Sequence, residues 1–381
     1  MVVGGRERRW VYKSDVHRRK VDRVPHLDPV AHAAARALFP ALGRIAYLNA
    51  GTFGPLARPV AAAMVAETQR DLEEGRSGGP YFERALVLRE QLRERLGALV
   101  GVGAERVALT ASTTDGCNIV LSGLGLGPED EIVTTREEHT GLLLPLGASG
   151  ARIVAVAADP EAIAAAVTPR TRLIAVSQVL WTTGRVLPVR ELRAATGVPV
   201  LVDGAQSVGA IPVSAEGIDY LTVSGQKWLC GPDTTGALVV ADPESLRVAW
   251  PTWFSQLGYG SGITLKPRAG AGRFDPNWWP VGSLAGLVAA LDVRPAWWYE
   301  HARTVAARCR ALLSQRFEVV EHPDQATLVA FRPGGDTAAI VRALFDQAVH
   351  VREIPGAGLV RVSCGWWTND DDLDRLVAGL A

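Results

Sequence analysis

Two short apolar runs, residues 200–202 and 220–223, limit the possible folds more than any other feature of the chain. Their β-branched residues are typical of buried strands; Asp203 closes the first run, and Lys227 follows the second. Strand-like and helical patterns also alternate over residues 131–177, which predicts a mostly parallel sheet with right-handed crossovers. Because open α/β sheets form their sites at the carboxyl ends of the strands, we expect both charged side chains at one edge of this sheet.

The charged residues that follow these two runs suit a specific chemistry. A lysine amine is a strong nucleophile only when it is unprotonated, and a buried carboxylate is costly unless a cation pairs with it. Pyridoxal phosphate (PLP) uses both groups, because a lysine holds its aldehyde and an aspartate keeps its ring nitrogen protonated. An aspartate and a lysine at the ends of two strands are also common by chance, so the pair alone leaves the nature of the site open.

The residues around this pair resemble the class V aminotransferase family of fold-type I PLP-dependent enzymes. In that family Asp-x-x-Gln-Ser precedes Ser-x-His-Lys-x-x-x-Gly-Pro, and this chain keeps the order with a glutamine at the histidine position. The matching residues are Asp203, Gln206, Ser207, Ser224, Gln226, Lys227, Gly231 and Pro232. The resemblance runs from Tyr47 to about Leu380 and implies an α/β fold with PLP as cofactor. It also implies a large PLP-binding domain at residues 28–282, with a mostly parallel sheet, and a small α+β domain at residues 283–381.

The same resemblance implies roles for individual residues. Lys227, Asp203 and His139 are the expected catalytic residues, and His139 corresponds to a histidine that stacks on the cofactor ring and can move protons. The residues expected to contact the cofactor are Thr113, Thr114, His139, Asp203, Gln206, Ser224, Gln226 and Lys227. The residues expected to contact an amino-acid substrate are Asn49, Gln178, Arg352 and Arg361. Arg361 corresponds to an arginine that grips the substrate carboxylate through a bidentate fork.

Several of these positions have a plainer interpretation when the residues are considered alone. Thr113 and Thr114 precede a helical pattern and could simply cap it, and a histidine in a loop, such as His139, usually faces water. Asn49 could belong to an ordinary strand and turn, and Gln178 to a loop capped by a packed tryptophan. Two arginines on a surface strand are usually solvated. These alternatives stay open at the level of the sequence.

The reaction is less constrained than the cofactor, because one scaffold hosts many chemistries. Among the branches of the family, the chain most resembles the L-cysteine/cystine C-S lyases, through residues 114–121, residues 180–188 and Lys227-Trp228. The expected reaction is therefore β-elimination with C–S cleavage, with transamination or epimerisation of an amino acid as alternatives. Residues 353–358 contain no cysteine, which argues against a desulfurase whose loop thiol attacks sulfur. A cofactor-free regulator is the alternative from another class, and the retention of Asp203 and Lys227 speaks against it.

The composition excludes several other classes of function. Forty Lys and Arg residues balance forty Asp and Glu residues, so no global field favours nucleic acid or an anionic membrane. The four cysteines are widely spaced, which predicts neither a disulfide framework nor a zinc site, and we expect no metal. No apolar run approaches the roughly 18 residues of a membrane span, and no signal core is present. We expect a cytoplasmic protein, and the resemblance implies a homodimer.

Periodicity and composition place the remaining segments. Leucines at positions 88, 92, 96 and 99 predict an amphipathic helix over residues 82–100, and a helical pattern follows at 117–124. Strands of the small domain are expected at 317–321, 326–331, 349–352 and 359–363. The basic residues 1–27 predict a solvated extension. Residues 250–280 predict a long irregular connection, in which Trp278 stands near the place of a family threonine that reaches the neighbouring subunit's cofactor phosphate.

Overall fold

A computed structural model describes residues 28–258 and 263–381, so the predicted extension at 1–27 lies outside the described residues. The strands are β1 (Ala46–Tyr47), β2 (Val107–Thr110), β3 (Glu131–Thr135), β4 (Arg152–Val156), β5 (Thr171–Ser177), β6 (Val200–Asp203), β7 (Tyr220–Ser224), β8 (Gly236–Val240), β9 (Glu318–Val320), β10 (Leu328–Arg332), β11 (Val349–His350), β12 (Arg352–Ile354) and β13 (Leu359–Ser363). The helices are α1 (Pro29–Arg36), α2 (Arg58–Glu74), α3 (Gly78–Val100), α4 (Thr113–Leu124), α5 (Thr140–Ala148), α6 (Pro160–Ala165), α7 (Val189–Thr196), α8 (Val281–Val293), α9 (Trp298–Leu313), α10 (Thr337–Asp346) and α11 (Asp370–Gly379).

Seven strands form the central sheet in the order β2-β8-β7-β6-β5-β3-β4. Strand β8 is antiparallel to β2 and β7, and the other neighbouring pairs are parallel, which confirms the predicted mostly parallel sheet. Every residue of β6 and β7 is buried, because helices cover both faces of the sheet, and this explains their apolar runs. Ser177, Asp203 and Thr222 are register partners on β5, β6 and β7, so they lie level at one edge.

Helix α4 begins earlier than the periodicity predicts. The pattern indicates a start at Cys117, whereas the helix starts at Thr113. The reason is a local cap: the Ser112 hydroxyl accepts a hydrogen bond from the Asp115 backbone N–H at 3.1 Å. The free backbone N–H groups of the first turn therefore lie at Thr113 and Thr114, the two residues expected at the cofactor phosphate.

The small antiparallel sheet has the order β12-β13-β10-β9, and α9 and α10 both contact it. The sequence pattern predicts one strand over residues 349–352, and this is wrong. Residues 349 and 350 form β11, which pairs in parallel with β1, whereas Arg352 begins β12, which pairs with β13. The chain changes partner at Val351, and an apolar pattern does not reveal which neighbour each half will meet.

Helix α8 packs on the large domain, against α2 and α3. Its Leu284 and Leu287 join the same apolar core as Leu92 and Leu96, the inward stripe of α3. The expected division of the chain at residues 282 and 283 stays a prediction.

The irregular connection around residues 250–280 is fastened by a buried carboxylate. Asp275 is fully buried and accepts hydrogen bonds from Arg89 Nη2 at 2.8 Å, Arg93 Nη1 at 2.9 Å and the Leu109 backbone N–H at 2.9 Å. The Arg89 guanidinium also lies 3.9 Å from the centre of the Phe254 ring. This cluster attaches the end of the segment to α3 and β2.

Two further observations concern the chain as a whole. Across residues 28–258 and 263–381, no helix combines the length and apolar character needed to cross a bilayer. All four cysteines are buried and free of disulfides.

Candidate active site

The carboxyl edge of the central sheet carries a row of polar side chains. Asp203, at the end of β6, is 3% exposed, and its Oδ1 accepts a hydrogen bond from the Ala205 backbone N–H at 2.9 Å. The Thr222 hydroxyl on β7 lies 3.5 Å from the same oxygen. On the other side of Asp203, Ser177 ends β5, and Glu138 follows the end of β3. Asp203 is thus held with its carboxylate at the strand ends, as predicted.

Lys227 lies on a tight turn after β7. The Gly54 N–H donates to the Gln226 carbonyl at 2.8 Å, and a Cβ at Gly54 would lie only 2.1 Å from the Lys227 carbonyl oxygen. Glycine at position 54 is therefore required by close backbone approach. Burial lowers the pKa of the Lys227 amine, and the charge of Arg361 lowers it further, while Asp203 opposes the shift. The site thus favours the unprotonated, nucleophilic amine more than water does.

The amino terminus of α4 lies beside these residues. A Cβ at Gly116 would lie 2.7 Å from Thr222 Cγ2, so the first turn of α4 packs directly on β7. A Cβ at Gly141 would lie 2.8 Å from the Thr114 hydroxyl, which brings the helix start close to the segment that carries His139. The free N–H groups and the helix dipole make this a suitable place for a phosphate.

His139 caps helix α5 with its ring. Its Nδ1 accepts a hydrogen bond from the Gly141 backbone N–H at 3.0 Å, so Nδ1 carries a lone pair, and the proton of the neutral ring is on Nε2. Burial lowers the pKa of His139, the charge of Lys227 lowers it further, and Asp203 raises it. Because Lys227 and Asp203 both affect the pKa of His139, the three residues lie close together in one site. The Trp181 ring meets the histidine edge-on, at 5.1 Å between centroids and 86° between planes.

Arg361 is a buried cation without a carboxylate partner among the described residues. It is 2% exposed; its Nη1 donates to the Trp181 carbonyl at 2.7 Å, and its Nε has no hydrogen-bond partner in the part of the chain that the structure describes. Burial lowers the pKa of Arg361 to about 9, with a further contribution from Arg352, its register partner on β12. An arginine buried in this way is stabilised by an anionic ligand. Arg352 itself is exposed.

The other predicted residues differ in how free they are to meet a ligand. Gln178 is 3% exposed, and its Oε1 is buried without a hydrogen-bond partner in the described structure. The Ser224 hydroxyl donates to Gln226 Oε1 at 2.8 Å, which leaves the Gln226 amide nitrogen available. By contrast, Gln206 uses both ends of its amide within the protein, and the Asn49 side chain accepts from the Thr52 hydroxyl at 2.9 Å.

Two residues at the site were missed as functional candidates. Trp181 connects two parts of the site: its indole N–H donates to the Glu137 carbonyl at 3.1 Å, beside His139, and its own carbonyl holds Arg361. Gly51 leaves room for Arg361, because a Cβ there would lie 2.7 Å from Arg361 Nη2. The turn composition around Gly51 was a signal for close backbone approach, whereas nothing in the local sequence of Trp181 indicates its two contacts.

Comparison with known proteins identifies the family. The family model described as aminotransferase class V matches residues 47–376. The chain belongs to this family. The match covers most of the chain, and the predicted family and α/β fold are therefore confirmed. Members of this family are PLP-dependent enzymes, and this chain is an enzyme of that kind.

Individual relatives of this class V chain differ in the reaction that their names give. An isopenicillin N epimerase of Amycolatopsis lactamdurans is 31% identical, over 87% of this chain and 94% of that protein. A cysteine desulfurase of Pectobacterium atrosepticum is 28% identical, over 76% of this chain and 81% of that protein. Among solved structures, a complex of the cystine C-S lyase C-DES with its product cysteine persulfide is 28% identical with a TM-score of 0.85, covering 90% of this chain and 98% of that one.

Proposed function

We propose that this protein is a PLP-dependent lyase that cleaves the C–S bond of a cysteine-like amino acid by β-elimination. The likeness to the C-DES lyase along 90% of the chain supports this choice within the family. The observation that carries it is the state of the cysteines: all four are buried, so none exposes a thiol that could accept sulfur.

The residues of the site fit PLP. Gln178 Oε1 and Arg361 Nε are buried polar atoms without hydrogen-bond partners among the described residues, and polar atoms of a ligand would satisfy them. Thr113, Thr114, Ser224 and Gln226 would hold the phosphate through hydroxyls, amide N–H groups and the start of α4. When bound, PLP withdraws electrons from the α-carbon of the amino acid.

The chain itself supplies the binding, orientation and proton transfer. Asp203 would keep the ring nitrogen protonated, and His139 would contact the cofactor and hold a proton on Nε2. Lys227 would hold the cofactor through its amine, and its free amine would act as a base at the α-carbon. Arg361 would fix the substrate carboxylate, which orients the α-carbon toward Lys227.

The buried cysteines favour elimination over sulfur transfer to the protein. A desulfurase attacks with a protein thiolate, which requires a low thiol pKa and access to the substrate. Here burial raises the pKa of Cys230 and Cys117, with the charges of Asp203 and Glu138 adding to the shift at Cys117. Cys364 is in contact with Cys309, and this contact and burial raise the pKa of Cys364 well above its ordinary value. Sulfur would therefore depart with the leaving group, giving pyruvate and ammonia.

The decisive experiment follows the products and the cysteines together. The purified protein, loaded with PLP, is given cysteine and cystine, and pyruvate, ammonia, sulfur species and alanine are quantified. We expect pyruvate with ammonia, no persulfide on any cysteine by mass spectrometry, and retained activity in Cys364→Ser. Alanine together with a persulfide on Cys364 would instead identify a desulfurase.

An epimerase is the second candidate, because the relatives at 30% and 31% identity are named isopenicillin N epimerases. The same incubation in deuterated water separates the two functions. Epimerisation inverts the α-carbon and incorporates deuterium there without releasing pyruvate, whereas elimination consumes the amino acid. Formation of a different amino acid from an added oxo acid would indicate transamination.

We also propose that the enzyme is a cytoplasmic homodimer. Free, unpaired thiols fit a reducing compartment. Phe82, Leu86, Trp253 and Trp278 form an aromatic patch, in which the rings of Phe82 and Trp278 are 5.3 Å apart. Phe82, Leu86 and Trp253 are each more than two-fifths exposed. Exposed apolar clusters of this kind are typical of protein interfaces, and a second copy of this chain is the occupant that the family implies.

A further inference from the structure

Glu138 is a buried acid at the site that has no part in the functions assigned above. It is 4% exposed and lies immediately before His139. Its Oε1 accepts from the Thr135 hydroxyl at 2.9 Å, and its Oε2 accepts from the Ser177 backbone N–H at 3.0 Å and is in close contact with the Ser177 hydroxyl. The side chain thus ties the segment between β3 and α5 to the end of β5.

This connection helps to place His139. Residues 136–139 leave the sheet between β3 and α5, and the Glu138 side chain attaches them to the neighbouring strand β5. Ser177 is in turn the register partner of Asp203. The histidine expected above the cofactor ring and the aspartate expected at its nitrogen are therefore linked through Glu138 and Ser177.

The groups that the structure describes around Glu138 include hydrogen-bond donors but no cation that would pair with a negative charge there. Strands β3 and β5 contribute the two hydroxyls and one N–H, β6 contributes the Asp203 carboxylate, and α4 contributes the Cys117 thiol. No Lys, Arg or His of the described residues forms an ion pair with Glu138. Two neighbouring buried carboxyl groups without a cation between them do not both ionise at low cost. A neutral carboxyl also fits its partners, because hydroxyl oxygens accept as well as donate.

We propose that Glu138 is a positioning residue that fixes His139 over the cofactor site and that it does so as a neutral carboxylic acid. In this role Asp203 is the one negative charge presented to the cofactor ring. Burial raises the pKa of Glu138 to about 7, against the hydrogen bonds from Ser177 and Thr135 and with a contribution from Asp203, which agrees with this assignment. The role at the cofactor rests on the proposed function, whereas the neutral state of Glu138 does not.

The first test uses the cofactor-free protein, so its outcome is independent of the proposed function. The pKa of Glu138 is higher in the folded protein than in the unfolded chain, so the unfolded chain loses this proton at a lower pH. The free energy of unfolding should therefore fall as pH rises from about 4.5 through 7. Glu138→Gln keeps a neutral side chain of the same shape. We expect the Tm of the wild type to fall relative to that of Glu138→Gln across this pH range. Glu137→Gln, the matched control on the same segment, should follow the wild type.

The second test reads the position of His139 through the cofactor spectrum. With PLP bound, Glu138→Ala should shift the absorption maximum as His139→Ala does, because the segment loses its attachment to β5. By contrast, Glu138→Gln should have the same absorption maximum as the wild type below pH 7. A Tm difference between wild type and Glu138→Gln that is independent of pH would overturn the neutral state, and a Glu138→Ala spectrum equal to that of the wild type would overturn the positioning role.

Discussion

Lys227 and Arg361 are both buried, but their protonation behaviour differs, which suits one to proton transfer and the other to binding an anion. Burial lowers the pKa of both, but the lysine can release its proton, whereas an arginine normally remains charged. The charge of Arg361 also lowers the pKa of Lys227. A carboxylate bound at Arg361 would reduce this effect.

Replacing Lys227 with alanine should abolish covalent attachment of PLP and turnover while leaving the fold intact. The wild-type protein should be yellow, and borohydride should fix the cofactor mass on a peptide containing Lys227. Lys266→Ala, at an exposed lysine, is the matched control and should label normally. Turnover in Lys227→Ala would remove the assignment, and a colourless wild type incubated with PLP would favour a cofactor-free regulator.

Replacing Arg361 with alanine should raise KM for amino acids far more than for the corresponding amines, because only the carboxylate loses a partner. By the usual strength of a charge-assisted hydrogen bond, about 1.5 to 3 kcal/mol, the loss in kcat/KM for amino acids should be on the order of tenfold to a hundredfold. Steady-state kinetics on paired substrates measures it. Equal losses for acids and amines would show that the carboxylate binds elsewhere.

Among the structural elements, the end of the connection through residues 250–280 is held by a buried carboxylate. Asp275 joins Arg89 and Arg93 of α3 to this part of the connection. The aromatic patch includes Trp253 and Trp278 from the same connection, so the order of the patch also depends on Asp275.

Asp275→Asn should therefore lower the free energy of unfolding by about 3 to 5 kcal/mol, the usual cost of removing one partner of a buried ion pair. Urea unfolding of the cofactor-free protein measures the change. Asp292→Asn is the matched control, because the Asp292 carboxylate pairs with Arg95 at 2.9 Å but is 56% exposed. The control should change stability by less than about 1 kcal/mol. Similar losses in both variants would contradict the structural importance of the buried cluster.

The sequence predicts those parts of the fold and site that are determined locally. The β-branched runs predict β6 and β7, and the charged residues that follow them, Asp203 and Lys227, are predicted with them. The start of α4 depends on one hydroxyl cap, which periodicity does not detect. Trp181 and Glu138 escaped prediction because their roles lie in contacts with distant segments; Arg361 and Trp181 are separated by 180 positions in the chain.

At the scale of the whole molecule, the aromatic patch predicts how two copies associate. The double variant Phe82→Ser, Leu86→Ser should convert the dimer to a monomer in size-exclusion chromatography with light scattering, because it removes apolar area from the contact. Leu72→Ser, at a residue that is 78% exposed on α2, should remain dimeric. A double variant that stays dimeric would assign the interface to another surface.

The pairing of β1 with β11 has a consequence for how the enzyme is made. Ala46 is synthesised long before its partner Val349. Leu48 and Gly51 then bond to His350 and Ser363, which emerge later still. Strand β1 must therefore stay without this partner until β11 has been made, and closing so long a loop is a slow step in folding. A chain cut short before residue 349 would lack both Arg361 and the strand that pairs with β1, so we expect it to have no activity.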